Sequence, residues 1–153
     1  MTFQVIGRGP YELRNKPIRF LPDSIGNLAE LEILDLTNCS LLFLPETIGS
    51  CIKLKKLHLD NNKLKTLPTS LANLANLEVL HLAFNKFETL PLAEALLQMP
   101  NLKELIVDKA VLEKLPHELL AGSQVTVSAP EGKPNFPHPG KVFAVYDDSR
   151  WPS

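Results

Sequence analysis

The sequence predicts an α/β fold: a right-handed solenoid with a parallel sheet of about six strands on its concave side and short helices on its convex side. The first observation is a leucine frame at Leu54, Leu57, Leu59, Leu64 and Leu67, which follows neither a strand nor a helix period along its whole length. The second is recurrence, because the same frame starts at Leu31 and Leu77, each 23 residues away. A Leu-Pro pair closing each frame is the third.

Three regions follow from the extent of the repeat. Residues 1–10 are predicted to be an amino-terminal cap, residues 11–128 the solenoid of about five repeats plus a truncated last turn, and residues 129–153 a proline-rich connection with a cap or tail. A terminal repeat exposes the core that would face a neighbour, so solenoid ends need caps. The first repeat is degenerate, with Lys16 in the position where later repeats have asparagine.

The segment after each Leu-Pro pair is predicted to form a short convex helix, in part 3₁₀. Proline suits a first helical position, because its φ is preset and it lacks only an N–H that would be unpaired there. The segments are residues 22–28, 45–51, 68–74, 91–99 and 116–120. The fourth is expected to be longer, since two extra residues and strong helix formers precede Pro100.

The fifth repeat and the carboxyl-terminal region depart from this frame. The fifth keeps core positions through Leu112 and Leu115 but has Ala110 in the asparagine position, and residues 124–128 are predicted to be the last parallel strand. Four prolines favour an extended connection over residues 129–140. Residues 141–147 then form a strand candidate that would cover the open sheet edge. Pairing with residues 3–6 is the alternative, and the local cap is preferred because neighbouring elements tend to pack together.

Residues 54–64 read L-x-x-L-x-L-x-x-N-x-L, and the frame at Leu77 nearly repeats it. This pattern resembles the leucine-rich repeat family, in its 23-residue class of bacterial cytosolic and Ras-group scaffolds. The resemblance covers residues 11–127 and implies a protein-interaction scaffold. It also implies a structural ladder in which Asn62 and Asn85, with Cys39 in the preceding turn, bond backbone groups of the turn.

Composition and cysteine use exclude several classes. The net charge of −1 argues against a dedicated nucleic-acid or anionic-membrane binder, which needs a basic excess. The start of the chain has no ordinary secretory signal and no stretch is long enough to span a bilayer, so a cytoplasmic location is expected, with non-classical secretion as the alternative. Cys39 and Cys51 fall at core positions, which favours two buried free thiols over a disulfide.

Residues between the core leucines alternate to the other side of the sheet and are predicted to line its concave face. Among them, exposed apolar side chains have no role in the core, and such anchors are typical of binding hot spots. The predicted partner-binding residues are Ile33, Asp35, Lys56, His58, Asp60, Val79, His81, Phe84, Ile106 and Asp108. The bland alternative is a set of scattered surface residues of no consequence.

His58 and His81 stand at equivalent positions of adjacent repeats, near Asp35 and Asp60. Zinc would need further ligands, and no third well-placed nitrogen or sulfur appears, so we predict no metal site. A pH-sensitive contact surface is favoured instead, because histidine titrates near neutrality.

No catalytic motif is present: there is no G-x-S-x-G, H-E-x-x-H, phosphate loop or C-x-x-C. The sequence therefore predicts a non-enzymatic protein-interaction module without cofactors that binds a protein partner on its concave face. A monomer is favoured over a dimer. Two alternatives stay open. One is a secreted bacterial effector acting on host proteins; the other is a self-associating structural protein that uses its terminal strands or Trp151.

Overall fold

The computed structural model describes residues 11–12 and 14–131. One sheet of six parallel strands runs in chain order, and the strands of successive repeats pair with each other. The strands are β1 (Tyr11–Glu12), β2 (Ile33–Asp35), β3 (Lys56–His58), β4 (Val79–His81), β5 (Glu104–Ile106) and β6 (Thr126–Ser128). The predicted solenoid architecture is confirmed, including its last strand.

The strand register stacks equivalent residues of successive repeats. Leu34 pairs with Leu57, and Leu57 with Leu80, and all three are completely buried. One turn of the coil cannot bury its leucines alone, whereas stacked turns share a continuous core. That core extends from Ile18 to Val125.

The convex segments are short, as predicted, and the first three are 3₁₀ helices of five residues: Asp23–Asn27, Glu46–Ser50 and Thr69–Asn73. Two details of the prediction were wrong. Pro22, Pro45 and Pro68 precede the helices with extended ψ instead of occupying a first helical position. The fourth segment, α1 (Ala93–Leu97), also has five residues, because Leu92 adopts a left-handed conformation and the extra residues form a turn.

The fifth repeat differs most from the predicted frame. Where earlier repeats make an asparagine-stabilised turn, the chain forms α2 (Lys109–Glu113), followed by α3 (His117–Ala121). Leu112 was predicted to be a core residue, but it is only half-buried, and Val111 is buried in its helix instead. With Ala110 in place of asparagine, the turn loses its side-chain acceptor, and a helix satisfies the backbone groups internally.

Close approach of neighbouring convex segments requires glycine at two positions. A Cβ atom on Gly26 would lie 2.7 Å from the carbonyl oxygen of Thr47, and one on Gly49 would lie 2.5 Å from Cβ of Ser70. Real side chains do not approach this closely, so these glycines set the spacing between the first three repeats.

Cys39 and Cys51 are both buried free thiols, as predicted. Burial raises the pKa of Cys39 to about 12 and that of Cys51 to about 11. Neither thiol is therefore a reactive thiolate near neutral pH.

The expected caps at residues 1–10 and 141–147, and Trp151, lie outside the described residues. Within the described part of the chain, no helix is long and apolar enough to cross a membrane.

Candidate functional site

The concave face is formed by the side chains that alternate with the buried leucines. Lys56 and His58 flank Leu57 on β3, and Val79 and His81 flank Leu80 on β4. Because the register aligns equivalent positions, Lys56 lies beside Val79 and His58 beside His81. The structure thus brings the predicted residues of β2 to β5 onto one surface.

The apolar members of this surface are less accessible than the sequence suggested. Ile33, Val79, Phe84 and Ile106 were expected to be exposed, but each is half-buried. Neighbouring side chains on one face of a parallel sheet cover part of one another. These residues therefore offer partial apolar contacts set among polar groups.

His58 and His81 form the centre of the concave face. Their rings meet edge to face with centroids 4.5 Å apart, and the two Nδ1 atoms are 3.1 Å apart. Nε2 of His81 lies 3.2 Å from Oε2 of Glu104. Because a carboxylate only accepts, we assign a proton to Nε2 of His81, and one further proton joins the two Nδ1 atoms. Both rings cannot be cationic here without two N–H groups facing each other.

Burial, followed by the charge of His81, lowers the pKa of His58 to about 4. His58 is only 9% exposed, so its cationic form would lose most of its hydration. The nearby carboxylate of Asp35 opposes this shift, whereas Lys56 and Arg14 reinforce it. His58 is therefore neutral at physiological pH.

Asp35 is buried and is held by its own strand end. Its Oδ1 accepts hydrogen bonds from the backbone N–H of Thr37 at 2.9 Å and from the Thr37 hydroxyl at 2.6 Å. A guanidinium nitrogen of Arg14 lies 3.9 Å from Oδ2. The carboxylate of Asp35 is thus already hydrogen-bonded to Thr37 and lies near a cation, so we assign it a structural role.

Two further carboxylates hold the backbone after β4. Oδ1 of Asp60 accepts from the N–H of Ala83 at 2.9 Å, and Oδ1 of Asp108 accepts from the N–H of Phe84 at 2.6 Å. Burial raises the pKa of Asp60 to about 6, against the lowering effects of His81 and the Ala83 hydrogen bond, and the charges of Asp35 and Asp108 add to the increase. Asp60 and Asp108, which belong to the repeats before and after this turn, thus bond two consecutive backbone N–H groups of it.

Phe84 occupies a strained position that the sequence analysis did not recognise. Asn15, Asn38 and Asn61 occupy the same position in the first three repeats, and all three have φ between 55° and 65°. Their amides form a ladder, in which Nδ2 of Asn38 donates to Asn15 and Nδ2 of Asn61 donates to Asn38. Phe84, with φ of 60°, takes the next place. Asparagine tolerates this region, whereas a bulky residue there is an outlier.

The signal for this ladder was in the sequence, because asparagine recurs at 23-residue spacing up to Asn61 and phenylalanine then replaces it. The left-handed backbone at these positions could not be predicted, since the spacing of residues does not determine φ.

Asn62 and Asn85, predicted as the structural ladder, lie inside the turns. Oδ1 of Asn62 accepts from the N–H groups of Cys39 and Leu41, and its Nδ2 donates to the carbonyls of Leu36 and Leu59. Asn85 makes the equivalent bonds one repeat later, to Leu64, Leu59 and Leu82. The side chain of Cys39, which was predicted to be part of this ladder, offers only a weak thiol donor, and its Sγ lies 3.5 Å from the carbonyl oxygen of Thr37.

The described residues contain no group of three or more His, Cys, Asp or Glu placed to hold a metal ion. His58 and His81 direct their Nδ1 atoms at each other, and Oδ2 of Asp60 lies 3.8 Å from Nδ1 of His81. The cluster is thus organised as a hydrogen-bonded group of side chains.

A second apolar surface lies away from the concave face, and the sequence analysis missed it. Phe20 is 54% exposed and Phe43 is 46% exposed, and their rings meet in a tilted arrangement with centroids 5.1 Å apart and an interplanar angle of 55°. Leu42 is exposed beside them. Later repeats have threonine or lysine at the position of Phe20 and Phe43, at Thr66, Thr89 and Lys114, so the patch is confined to the first two repeats.

Comparison with known proteins identifies relatives of this architecture. A family model described as a leucine-rich repeat region matches residues 11–123. Among solved structures, a leucine-rich repeat protein of Leptospira interrogans is 40% identical over 60% of this chain, with a TM-score of 0.56. The leucine-rich repeat ectodomain of the receptor kinase SOBIR1 from Arabidopsis thaliana is 26% identical over 72% of this chain, also with a TM-score of 0.56.

These similarities are partial in length. The aligned region spans 23% of the Leptospira protein and 61% of the Arabidopsis ectodomain. No curated protein matches this chain.

Proposed function

Because this chain belongs to the leucine-rich repeat family, we propose that it is a non-enzymatic module that binds a protein partner on the concave face of its sheet. Domains of this family are protein-interaction scaffolds in general. The proposal adds the surface and the residues: His81, Phe84 and Ile106 as the centre of contact, with Asp60 and Asp108 beside them.

The observation that carries this proposal is Phe84. Asparagine tolerates the left-handed backbone at this position, and the first three repeats all have asparagine there. A phenylalanine there costs stability of about 1–2 kcal/mol and does not extend the amide ladder. Strain of this kind at a position facing a concave surface supports a role in contact with another molecule.

The test is a variant with Phe84→Asn, His81→Ala and Ile106→Ser, used as bait with mass spectrometry of the proteins it retains from a lysate. We expect the variant to lose the partner that the unmodified chain retains, because the apolar anchors of the contact are gone. Circular dichroism and thermal melting establish that the variant is folded.

Phe43→Thr is the matched control. It removes an exposed aromatic ring from the second apolar surface and introduces the residue that the next repeat has at this position, Thr66. Capture should survive this change. Capture that survives the triple substitution, or that is lost only with Phe43, would contradict the concave-face proposal.

A further inference from the structure

We propose that the second apolar surface, formed by Phe20, Leu42 and Phe43, is a docking site for a short acidic segment of a protein partner with apolar side chains between its carboxylates. The surface lies between each of the first two strands that precede a 3₁₀ helix and that helix, away from the concave side chains. It is thus a second contact surface beside the concave face, with a partner segment of its own.

The backbone holds the three apolar side chains of this surface together. Phe20 and Phe43 form a parallel bridge between the first two repeats, and the N–H of Leu42 donates to the carbonyl oxygen of Arg19 at 3.0 Å. The two rings contact each other, and all three apolar side chains are exposed. Single exposed apolar side chains are common on folded proteins, whereas adjoining ones with a polar border are typical of contact sites.

The repeat itself does not require apolar residues at these positions. In the third repeat, Lys65 and Thr66 occupy the positions of Leu42 and Phe43, and they too lie between buried leucines. The core is therefore complete with polar residues on this surface. Contact with another molecule gives the exposed rings a role that folding does not.

Cations border the apolar side chains in neighbouring repeats. Arg19 and Lys65 occupy the position of Leu42 one repeat before and one repeat after it, and Lys63 lies two residues before Lys65. All three cationic side chains are exposed. Within the described part of the chain none of them pairs with a carboxylate, whereas three other lysines pair with glutamates. These cations are thus available to carboxylates of a partner.

The excess of positive charge is confined to the repeats that carry this surface. The equivalent segments 16–20, 39–43 and 62–66 contain no carboxylate, and their four cations are Lys16, Arg19, Lys63 and Lys65. The next two equivalent segments, 85–89 and 110–114, each contain one lysine and one glutamate. Charge complementarity therefore favours an acidic partner segment at the first three repeats.

The carboxylates on the convex side of this surface favour a short segment over a broad anionic one. Asp23 opens the first convex helix and is exposed, and Glu46 accepts hydrogen bonds from the N–H groups of Thr69 and Ser70. Their charges oppose a membrane or a nucleic acid, whereas a short segment can lie along the cations. A symmetric contact between two copies would place cations against cations.

The test is selection of random peptides displayed on phage against the folded chain, after removal of the peptides that bind the Phe43→Thr variant. This subtraction leaves peptides that need the second apolar surface. We expect the remaining peptides to combine aspartate or glutamate with aliphatic or aromatic residues, and their affinity to fall as salt concentration rises.

Two variants separate the charge from the rings. Arg19→Gln with Lys65→Gln removes two charges and should weaken binding of the selected peptides about tenfold. Phe20→Thr introduces the residue that the third repeat has at this position, Thr66, and should also weaken binding about tenfold, because an apolar anchor is lost. Circular dichroism and thermal melting establish that both variants are folded.

Each variant has a matched control that should bind the selected peptides as the unmodified chain does. Lys53→Gln with Lys109→Gln makes the same change in net charge at exposed lysines outside this surface. Ile52→Ala removes another exposed apolar side chain and introduces the residue of the equivalent positions, Ala29 and Ala75.

Several results would overturn the inference. They are the absence of peptides after subtraction, enrichment without aspartate or glutamate, and equal binding by the Arg19/Lys65 variant. Phosphatidylserine vesicles or single-stranded RNA that bind the chain and are lost with Phe43→Thr would assign the surface to those ligands instead. A concentration-dependent dimer abolished by Phe43→Thr would assign it to a second copy, and binding of a synthetic peptide of residues 141–153 to the same surface would assign it to the chain itself.

The variant with Phe84→Asn, His81→Ala and Ile106→Ser distinguishes this inference from the proposed function. It should bind the selected peptides normally, because its changes lie on the concave face. Loss of peptide binding in this variant would place the peptides on the concave face and overturn the inference while leaving the proposed function in place. A partner retained through the concave face should in turn be insensitive to the Arg19/Lys65 variant.

Discussion

Phe84 departs from the residue type that the earlier repeats have at its position. The side chains at its position form a hydrogen-bonded amide ladder in the first three repeats and share a left-handed backbone. The ladder stops at Phe84, where the same backbone carries a ring. Local preference and fold disagree here, which is expected at functional sites.

We predict that Phe84→Asn raises the free energy of unfolding by about 1 kcal/mol. Asparagine removes the left-handed strain of a bulky residue, and its amide can donate to Asn61 as the earlier members donate to one another; loss of the half-buried ring offsets part of the gain. Chemical denaturation of the two proteins measures the difference.

Asn61→Ala is the comparison at the preceding position. It removes the bond to Asn38 and places a Cβ-bearing residue without a polar side chain at φ of 55°, so it should lower the free energy of unfolding. If Phe84→Asn instead destabilises the chain as Asn61→Ala does, the strain at Phe84 is not the dominant effect.

The spacing of the convex 3₁₀ segments is set by glycines, which have no side chain at the points of closest approach. Gly26 and Gly49 lie where the adjacent segment passes closest, and the third segment has Ala72 at the corresponding place. The leucines define where these elements occur, whereas the glycines define how near they lie.

Gly49→Ala is therefore expected to lower the free energy of unfolding by about 1–3 kcal/mol, because the new Cβ must displace Ser70 or its backbone carbonyl. The thermal melting temperature should fall accordingly. Gly122→Ala serves as the control, since its nearest contact would be 3.4 Å away and its φ of −84° suits alanine. Equal melting temperatures for the two variants would show that the convex segments separate freely.

At the scale of the whole molecule, His58 and Asp60 make opposite contributions to the dependence of stability on pH. His58 has its pKa lowered from 6.5 to about 4, so its contribution is complete above about 6.5 and is lost as pH falls towards 4. Asp60 has its pKa raised from 3.8 to about 6, so its contribution is complete below about 3.8 and is lost as pH rises through 6. Between pH 4 and 6 the two effects largely cancel.

Substituting one of these two residues should reveal the pH dependence that the other contributes to stability. Relative to the unmodified chain, Asp60→Asn should make stability rise with pH between about 4 and 6, by at most about 1.4 kcal/mol per pH unit. His58→Gln should give the opposite slope over the same range. Denaturation midpoints measured at several pH values test both signs, and difference curves that are flat for both variants would contradict this account.

The 23-residue recurrence of leucine was sufficient to predict the coil, the parallel sheet, the buried cysteines and which residues share the concave face. These features depend on periodicity, and one frame repeated along a chain leaves few ways to bury its apolar side chains. Sequence also predicted that His58 and His81 lie side by side, because equivalent positions in adjacent repeats must be neighbours.

Other features of the site were decided only by the tertiary structure. The bond between the two histidine Nδ1 atoms, the carboxylates aligned on the Ala83 and Phe84 N–H groups, and the half-burial of Ile33, Val79 and Ile106 depend on side-chain rotamers and sheet curvature. The helix at Lys109–Glu113 and the left-handed backbone at Phe84 depend on local φ and ψ, which leucine spacing does not determine. Periodicity sets which residues meet, whereas distances of a few ångströms set what they can bind, and those distances arise only when all turns pack together.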